Sequence, residues 1–377
     1  MNLGLRDLTH NLGRFIVTCL GIGLLLGVVE GMVGIYRGLV DDSLALSRGA
    51  GADLWVVEDQ RQGPFAEVSR LPRDIRDGIA RISGVSDAGA VTYQSVQAIA
   101  GGLRLRLFVV GYEPGRLGGP PILIAGRPIE QSHYEIVLDQ SAQLPLGATV
   151  RLGRHDFTVV GLTRRQVSAA GDAGAYITLL DGQVLQFEME PPAARNAVAR
   201  GEPPADTNTI NAVVARLEAG GDVAAVAGAI RRWKHLEVLT QDEQEALLSK
   251  AFIDKVRKQI GLFATLLVIV ATVIIALIVY TMTLDKVREI ATLKLIGAPD
   301  RVIVGMIVQQ SLALGILGFV FGTAYVNVIA PYFPRRVVLL TSDASALAGV
   351  TVLACLAASA LAVRYALRVD PGRALAG

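Results

Sequence analysis

Hydrophobic positions along this 377-residue chain fall into two regimes. Residues 15–36, 259–284, 302–330 and 345–366 are apolar with few interruptions. Each is long enough for the about 20 helical residues that cross a hydrocarbon core. Residues 37–240 instead alternate apolar and polar positions, in the manner of half-buried strands with helices between them. The pattern predicts an α-helical membrane protein with four transmembrane helices plus a large α+β extracytoplasmic domain between the first and second.

Within 37–240 the alternation marks strands at 52–58 (ADLWVVE), 103–112 (LRLRLFVVGY), 134–139 (YEIVLD) and 148–162. The last reads as a hairpin turning at Gly153–Arg154. Residues 72–84 (PRDIRDGIARISG) predict a helix, with Pro72 near its start and glycine at its stop. NAVVARLE, DVAAVAGAIRRW and LEVLT then read as strand, helix, strand. Residues 188–208, rich in Pro, Ala and charge, read as a loop or linker. The domain is expected as two small lobes.

Residues 1–14 place Leu3, Leu5, Leu8 and Leu12 among polar neighbours, an amphipathic helix for the inner membrane surface. Thr240 and Glu243 have capping-box spacing. No proline follows before the second span. A stalk at 241–258 continuous with 259–284 would therefore form one helix roughly 65 Å long at ~1.5 Å per residue.

Composition adds little to the fold and more to the orientation. Mean hydropathy is +0.46 and 52% of residues are hydrophobic. Residues 37–255 have a small acidic excess, and the basic excess flanks the apolar runs, so no dense basic stripe suggests nucleic acid. Residues 1–36 read as a retained anchor: the apolar run is too long for a signal peptide and no A-x-A-like site follows. Cys19 and Cys355, the two cysteines, lie in apolar runs, so the domain has no disulfide. The 285–301 loop holds Lys286, Arg288, Lys294 and Arg301. The 367–377 tail holds Arg368 and Arg373, just beyond Arg364, and the N-terminal segment holds Arg6 and Arg14. Basic short loops stay inside, which puts these on the cytoplasmic side and the domain outside. Arg335 and Arg336 in the opposite loop, 331–344, run against that bias.

The loop between the second and third spans, DKVREIATLKLIGAPDR, is too charged to be lipid-exposed. It reads as a short surface helix closed by Gly297, with Pro299 preventing continuation; an ordinary solvated loop is the alternative. Its REIATLKLIGA run resembles the R-E-I-x-x-x-K/R-x-x-G-A signature of FtsX/MacB-type ABC transporter permeases (type VII fold). LGLRDLTHNLGR before the first span and RYALRVDPGRAL after the last resemble the same family, as does the order of one span, large domain, three spans. The branch it looks closest to is DevC-like.

The resemblance implies a coupling helix that docks into a separate ATPase, carried here by Arg288, Glu289, Ile290, Leu293, Lys294, Gly297 and Ala298. Ile290 and Leu293 are expected in a groove of that ATPase. The family works as a permease homodimer with two cytoplasmic ATPase subunits, which bind the ATP and Mg. A periplasmic membrane-fusion adaptor and membrane lipids complete the expected partners. This chain has no G-x-x-x-x-G-K-[ST] phosphate loop. It is therefore expected to be a non-catalytic subunit, without a cofactor or metal of its own, in a bacterial inner membrane.

Three features inside the first span are candidates for function. Gly23, Gly27 and Gly31 form a small-xxx-small ridge for helix packing or dimer contact. Glu30 is an intramembrane carboxylate and so a candidate substrate contact, with an interfacial residue bonded to a neighbouring helix as the alternative. With Met32 and Tyr36 it could contact cargo, including haem between two protomers. His10, His133, His155 and His235 show no metal spacing. The leading expectation is an exporter or extractor of amphipathic or lipid-like cargo. The alternatives are an FtsX-like signal transmitter activating a cell-wall hydrolase, a haem exporter, and a receptor without an ATPase.

Overall fold

The structure is a computed structural model, and it describes residues 12–65, 67–189, 200, 208–234, 236–333 and 335–368. Most of the amphipathic segment 1–14, most of the 188–208 linker, His10, His235 and the RVDPGRAL tail beyond Arg368 lie outside the described residues.

Helix α1 (Leu12–Gly49) is followed by β1 (Leu54–Val57), β2 (Leu71–Pro72), α2 (Asp74–Ile79), β3 (Val85–Ala100), β4 (Leu103–Tyr112), β5 (Leu123–Gly126), β6 (Glu135–Asp139), β7 (Thr149–Leu152), β8 (His155–Thr163) and β9 (Ala173–Thr178). Next come α3 (Leu179–Glu188), β10 (Thr209–Ile210), β11 (Ala212–Leu217), α4 (Val223–Lys234), β12 (Glu237–Thr240) and α5 (Gln241–Leu248). After a π-helical turn at Ser249–Ile253, the chain ends in α6 (Asp254–Asp285), α7 (Val287–Leu295), α8 (Asp300–Ile329) and α9 (Thr341–Arg368). Among the described residues, four helical segments are long and apolar enough to cross a membrane: Phe15–Gly49, Val256–Asp285, Asp300–Tyr332 and Thr341–Arg368.

The chain divides into two compact units: Leu39–Lys255, and Met1–Gly38 with Val256–Gly377. The first is the α+β domain. Its ten-stranded mixed sheet runs β12-β1-β11-β3-β4-β9-β6-β8-β5, with β7 pairing β3 and β8. Most pairs are antiparallel; β4–β9 and β6–β8 are parallel. Side chains alternate across a strand, so β1 sends Leu54 and Val56 into one core and Trp55 and Val57 into another. The first core lies against α2 and α4, through Ile79 and Ile230. A third core packs Leu107, Ile136, Leu152 and Ile177 with Leu185 of α3. The 16-residue β3 contributes Ala88 and Ala90 to the first of these and Val96 and Ala98 to the third. The two expected lobes therefore share one sheet.

The expected strands at 103–112 and 134–139, the hairpin around Gly153 (φ 57°) and the strand–helix–strand before Thr240 are all present. Strands β3 and β9 are additions to the expected set. VSDAGAVTYQSVQAIA has no clean two-residue alternation, because small residues serve both faces. At Gly89 a Cβ would sit 2.3 Å from the Leu117 carbonyl oxygen, so only glycine admits the β4–β5 connection running over it.

Two expected boundaries move. Helix α1 does not stop at 36; nothing breaks it before Gly49, and Gly51 (φ 64°) then turns the chain. The expected single helix from 241 to 284 has the capping box at its start, with Glu243 N–H donating to Thr240 Oγ1 and Thr240 N–H to Glu243 Oε2. It then loses its α register at Ser249–Ile253, where Asp254 N–H reaches back five residues to Ser249 O. Gln244, Leu248 and Ile253 are all buried. Their spacing of four then five fits one wider turn better than continuous α-helix. Helix α5 belongs to the domain: Trp55 Nε1–H donates to Gln241 Oε1 (3.1 Å), and Arg48 on α1 forms a two-bond pair with Glu245 (2.9 and 2.7 Å).

Candidate functional site

Helix α7 is separated from α6 by Lys286, whose backbone (φ −104°, ψ 10°) leaves the helical region. Burial pulls the Lys286 ammonium below the ordinary lysine range, against the attraction of Glu289. At the other end the chain closes with two backbone bonds, Gly297 N–H to Lys294 O and Ala298 N–H to Leu293 O. This is a Schellman motif, and the φ of 86° at Gly297 is why glycine stands there. Pro299 then precedes the first turn of α8.

Two of the expected coupling residues are spent inside the bundle. Ile290 is fully buried, in one cluster with Val279, Ile303, Ile307, Ala362 and Ala366. It therefore faces the spans, not an ATPase groove. The Lys294 Nζ donates to the Ala366 and Leu367 carbonyls (3.0 and 2.9 Å). These carbonyls lie in the last described turn of α9, where a cation is also favoured by the helix dipole. Lys294 thus ties α7 to α9 instead of orienting a partner. Leu293 is half-buried, while Arg288, Glu289 and Thr292 are on the more open side.

The apolar groups on the open side are Leu295 and Ile296, 62% and 79% exposed. Sequence reasoning missed both as contact residues. They lie five and six positions beyond Ile290, about 140° and 240° around the helix. The helical wheel separates them from Ile290, but it does not tell which side meets the spans.

The glycine ridge of α1 packs within the chain. A Cβ on Gly23 would lie 2.6 Å from Gly318 O, one on Gly27 3.0 Å from Gly322 O, and one on Gly322 2.4 Å from Gly23 O. Small residues on both helices let the α1 and α8 backbones touch. Gly23 and Gly27 are therefore covered by α8 and not available to a second copy. Gly31 is looser: a Cβ there would lie 3.9 Å from Val326. Near the end of this unit, the 331–340 connection crosses α1 at Gly34 and Gly38, and Arg37 forms a two-bond pair with Asp343 (2.8 Å each).

Glu30 is buried beside this contact and accepts a hydrogen bond from Thr323 Oγ1 at 2.7 Å. Met32 and Tyr36 are half-buried. Met32 stands about 200° around the helix from Glu30. Glu30 thus faces a different side of α1 from Met32 and Tyr36. In the domain, by contrast, His133 and His155 come together around Tyr134. Among the described residues no group of three or more His, Cys, Asp or Glu could hold a metal ion.

Comparison with known proteins supplies the class. The family model of the MacB-like periplasmic core domain matches residues 15–233, and that of the FtsX-like permease C-terminal region matches residues 261–371. An uncharacterized ABC transporter permease of Mycobacterium tuberculosis is 26% identical over 374 residues, covering 99% of this chain and 98% of that one. One from Mycobacterium bovis is 24% identical over 373 residues, with coverages of 99% and 98%. Among solved structures, the periplasmic region of MacB from Actinobacillus actinomycetemcomitans matches 52% of this chain and 92% of its own length, with a TM-score of 0.35 and 16% identity.

Four apolar helices with a MacB-like domain between the first and second define a multi-span permease subunit. The chain belongs to the FtsX/MacB type of ABC transporter permease, and a permease of this kind works with an ATPase component.

Proposed function

We propose that this chain couples ATP hydrolysis by a separate cytoplasmic ATPase to movement of its periplasmic domain, as the non-catalytic permease subunit of an exporter or extractor in a bacterial inner membrane. Two copies of the chain work with two ATPase subunits, which hold the ATP and Mg, and a membrane-fusion adaptor receives amphipathic or lipid-like cargo on the outer side.

One observation carries this reading. Helix α7 is fixed to the spans by Ile290 and Lys294, yet it leaves Leu295 and Ile296 bare, with the exposed charges Arg288 and Glu289 about two turns back. Adjacent exposed apolar side chains with charges along the same helix suit a small docking surface, where burial gives affinity and charge gives orientation. The coupling set thus becomes Arg288, Glu289, Leu295 and Ile296, with Gly297 and Ala298 shaping the turn. The DevC-like likeness and the size of the Leu39–Lys255 unit favour transport over signal transmission.

The test is hydrolysis by the partner ATPase in nanodiscs holding the permease. Leu295→Ala with Ile296→Ala should cut the permease-dependent rate by about tenfold, the scale of a contact hot spot. Unchanged stimulation and co-purification would remove the docking assignment.

A further inference from the structure

The domain contains a second site-like feature, formed where the segment before β6, the β7–β8 hairpin and α3 meet. A hollow of about 260 Å³ lies there, with Phe157, Val184 and Leu185 as apolar wall and His133, Tyr134 and His155 at the mouth. A neighbouring hollow of about 280 Å³ shares Leu185 and Glu188 and continues over Val96, Ile99 and Met189. Glu188 therefore stands between the two.

The mouth is held in a demanding conformation. Tyr134 has φ 65°, in the left-handed region that bulky side chains rarely occupy. It is kept there by its N–H donating to Asp181 Oδ2 (3.0 Å) and by its carbonyl accepting from Thr158 N–H (2.8 Å). Its ring stacks on His155 (centroids 5.3 Å, 27°) and meets Phe157 edge-on (5.7 Å, 74°). Asp181 is 5% exposed, with Oδ1 2.7 Å from His133 Nδ1. Such strain in a well-determined setting concentrates at binding sites.

Glu188 is placed against its local preference. It ends α3, where the helix dipole disfavours a carboxylate. Its Oε2 accepts from Arg154 N–H (3.1 Å), while among the described residues Oε1 has only a long 3.5 Å approach to His155 Nε2. That oxygen keeps capacity for a donor arriving in the hollow. Among the described residues the first hollow offers two carboxylates, Asp181 and Glu188, and no Lys or Arg. Aromatic faces beside an underused carboxylate attract a cation by both charge and ring quadrupole.

We propose that this paired hollow binds a small organic cation: a protonated amine carried on an apolar frame. The ammonium sits between Glu188 Oε1 and the Tyr134 and His155 rings. The frame lies over Leu185 toward Ile99 and Met189. Arg151 and Arg154 at the second hollow disfavour a second positive charge on the same molecule. The site stands apart from the ATPase-coupling reading, since none of its residues lies in the spans.

The test is isothermal titration of the full chain in lipid nanodiscs with 4-phenylbutylamine and its neutral isostere 4-phenylbutanol. Each is titrated against Glu188→Gln in identical nanodiscs, so that partition into lipid cancels. Gln retains an acceptor for Arg154 N–H, and thermal unfolding checks that the domain is intact. The amine should bind about tenfold more tightly than the alcohol, and Glu188→Gln should lose about that factor for the amine alone. Tyr134→Ala should weaken the amine several-fold. Equal binding of amine and alcohol would reduce the feature to an apolar hollow. An unchanged Glu188→Gln variant, or Zn²⁺ binding through the histidines without amine binding, would also overturn the proposal.

Discussion

Gly322→Ala puts the packing of the first and third spans to a sharp test. The added methyl would lie 2.4 Å from Gly23 O and 2.9 Å from Gly27 N, and both are backbone atoms that cannot rotate away. Ordinary carbon contacts begin near about 3.5 Å, so the helices must part by about 1 Å. Overpacking of this kind costs about 1–3 kcal/mol. The neighbouring Thr323–Glu30 hydrogen bond, now 2.7 Å, would stretch out of bonding range. An interhelical bond in a membrane is worth about 0.6–1.7 kcal/mol. Together these give about 2–5 kcal/mol, a fall of about 4–20 °C in the unfolding midpoint of the span unit. The chain provides its own reporter. Cys19 and Cys355 are its two cysteines, and both are buried in the span core. A thiol-reactive fluorophore in a temperature ramp therefore reads this unit and not the domain. A methyl added at Gly305, on the same helix α8, would meet nothing within 4 Å, so Gly305→Ala is the matched control and should not lower the midpoint. If Gly322→Ala unfolds with the control, the glycine faces do not meet. If its loss depends on protein concentration, the contact lies between copies.

Ile290→Ala should lower the same thiol-read midpoint, because truncating a fully buried isoleucine costs about 2–5 kcal/mol; Leu295→Ala with Ile296→Ala should leave that midpoint in place while reducing ATPase stimulation. Equal effects of the two changes on stability would mean that α7 is not divided between an anchored and an open side. Glu135, buried and paired with Arg127 and with the Glu130 and Gln131 N–H groups, titrates at about 2, chiefly because of Arg127. A depressed folded value stabilises the domain above the unfolded carboxylate value of 4.5, and that contribution disappears as pH falls toward about 2. Arg127→Gln should therefore bring acid unfolding to higher pH, with midpoint curves that stand furthest apart above about pH 5 and converge as pH falls toward about 2. Trp55 and Trp233, the two tryptophans, both lie in the domain, so their fluorescence follows this transition; coincident curves for the two proteins would refute the assignment.

Much of the architecture was legible because it rests on composition over long windows. A run such as 302–330 stays apolar however its neighbours pack, and α8 occupies Asp300–Ile329. Local chemistry was legible too: Thr240 and Glu243 close their capping box, and Gly297 ends α7. What escaped depended on partners distant in sequence. Strand β3 reads as weak by itself, and it exists because β4, β7 and β11 pair with it. The π turn follows from a burial spacing that no single residue announces. His133 and His155 looked scattered because their meeting point is made by the β7–β8 hairpin folding beside the segment that precedes β6. The role of Lys294 depended on carbonyls more than 70 residues away, at the end of α9.

The placement of α7 has a mechanical consequence within the span unit. Ile290 shares one core with residues of α6, α8 and α9, and Lys294 holds the last carbonyls of α9. Packed interiors resist local compression, so a push on Leu295 and Ile296 cannot be absorbed by α7 alone. It must displace the spans that α7 is tied to, and through Gly318 and Gly322 it also reaches α1. A helix that was merely a solvated loop would need none of these attachments. A flexible tether would place its buried anchor and its exposed apolar pair on separate segments. Here both sit within seven residues of one short helix and its cap, with the anchor buried and the pair bare, which is what the proposed coupling role would need.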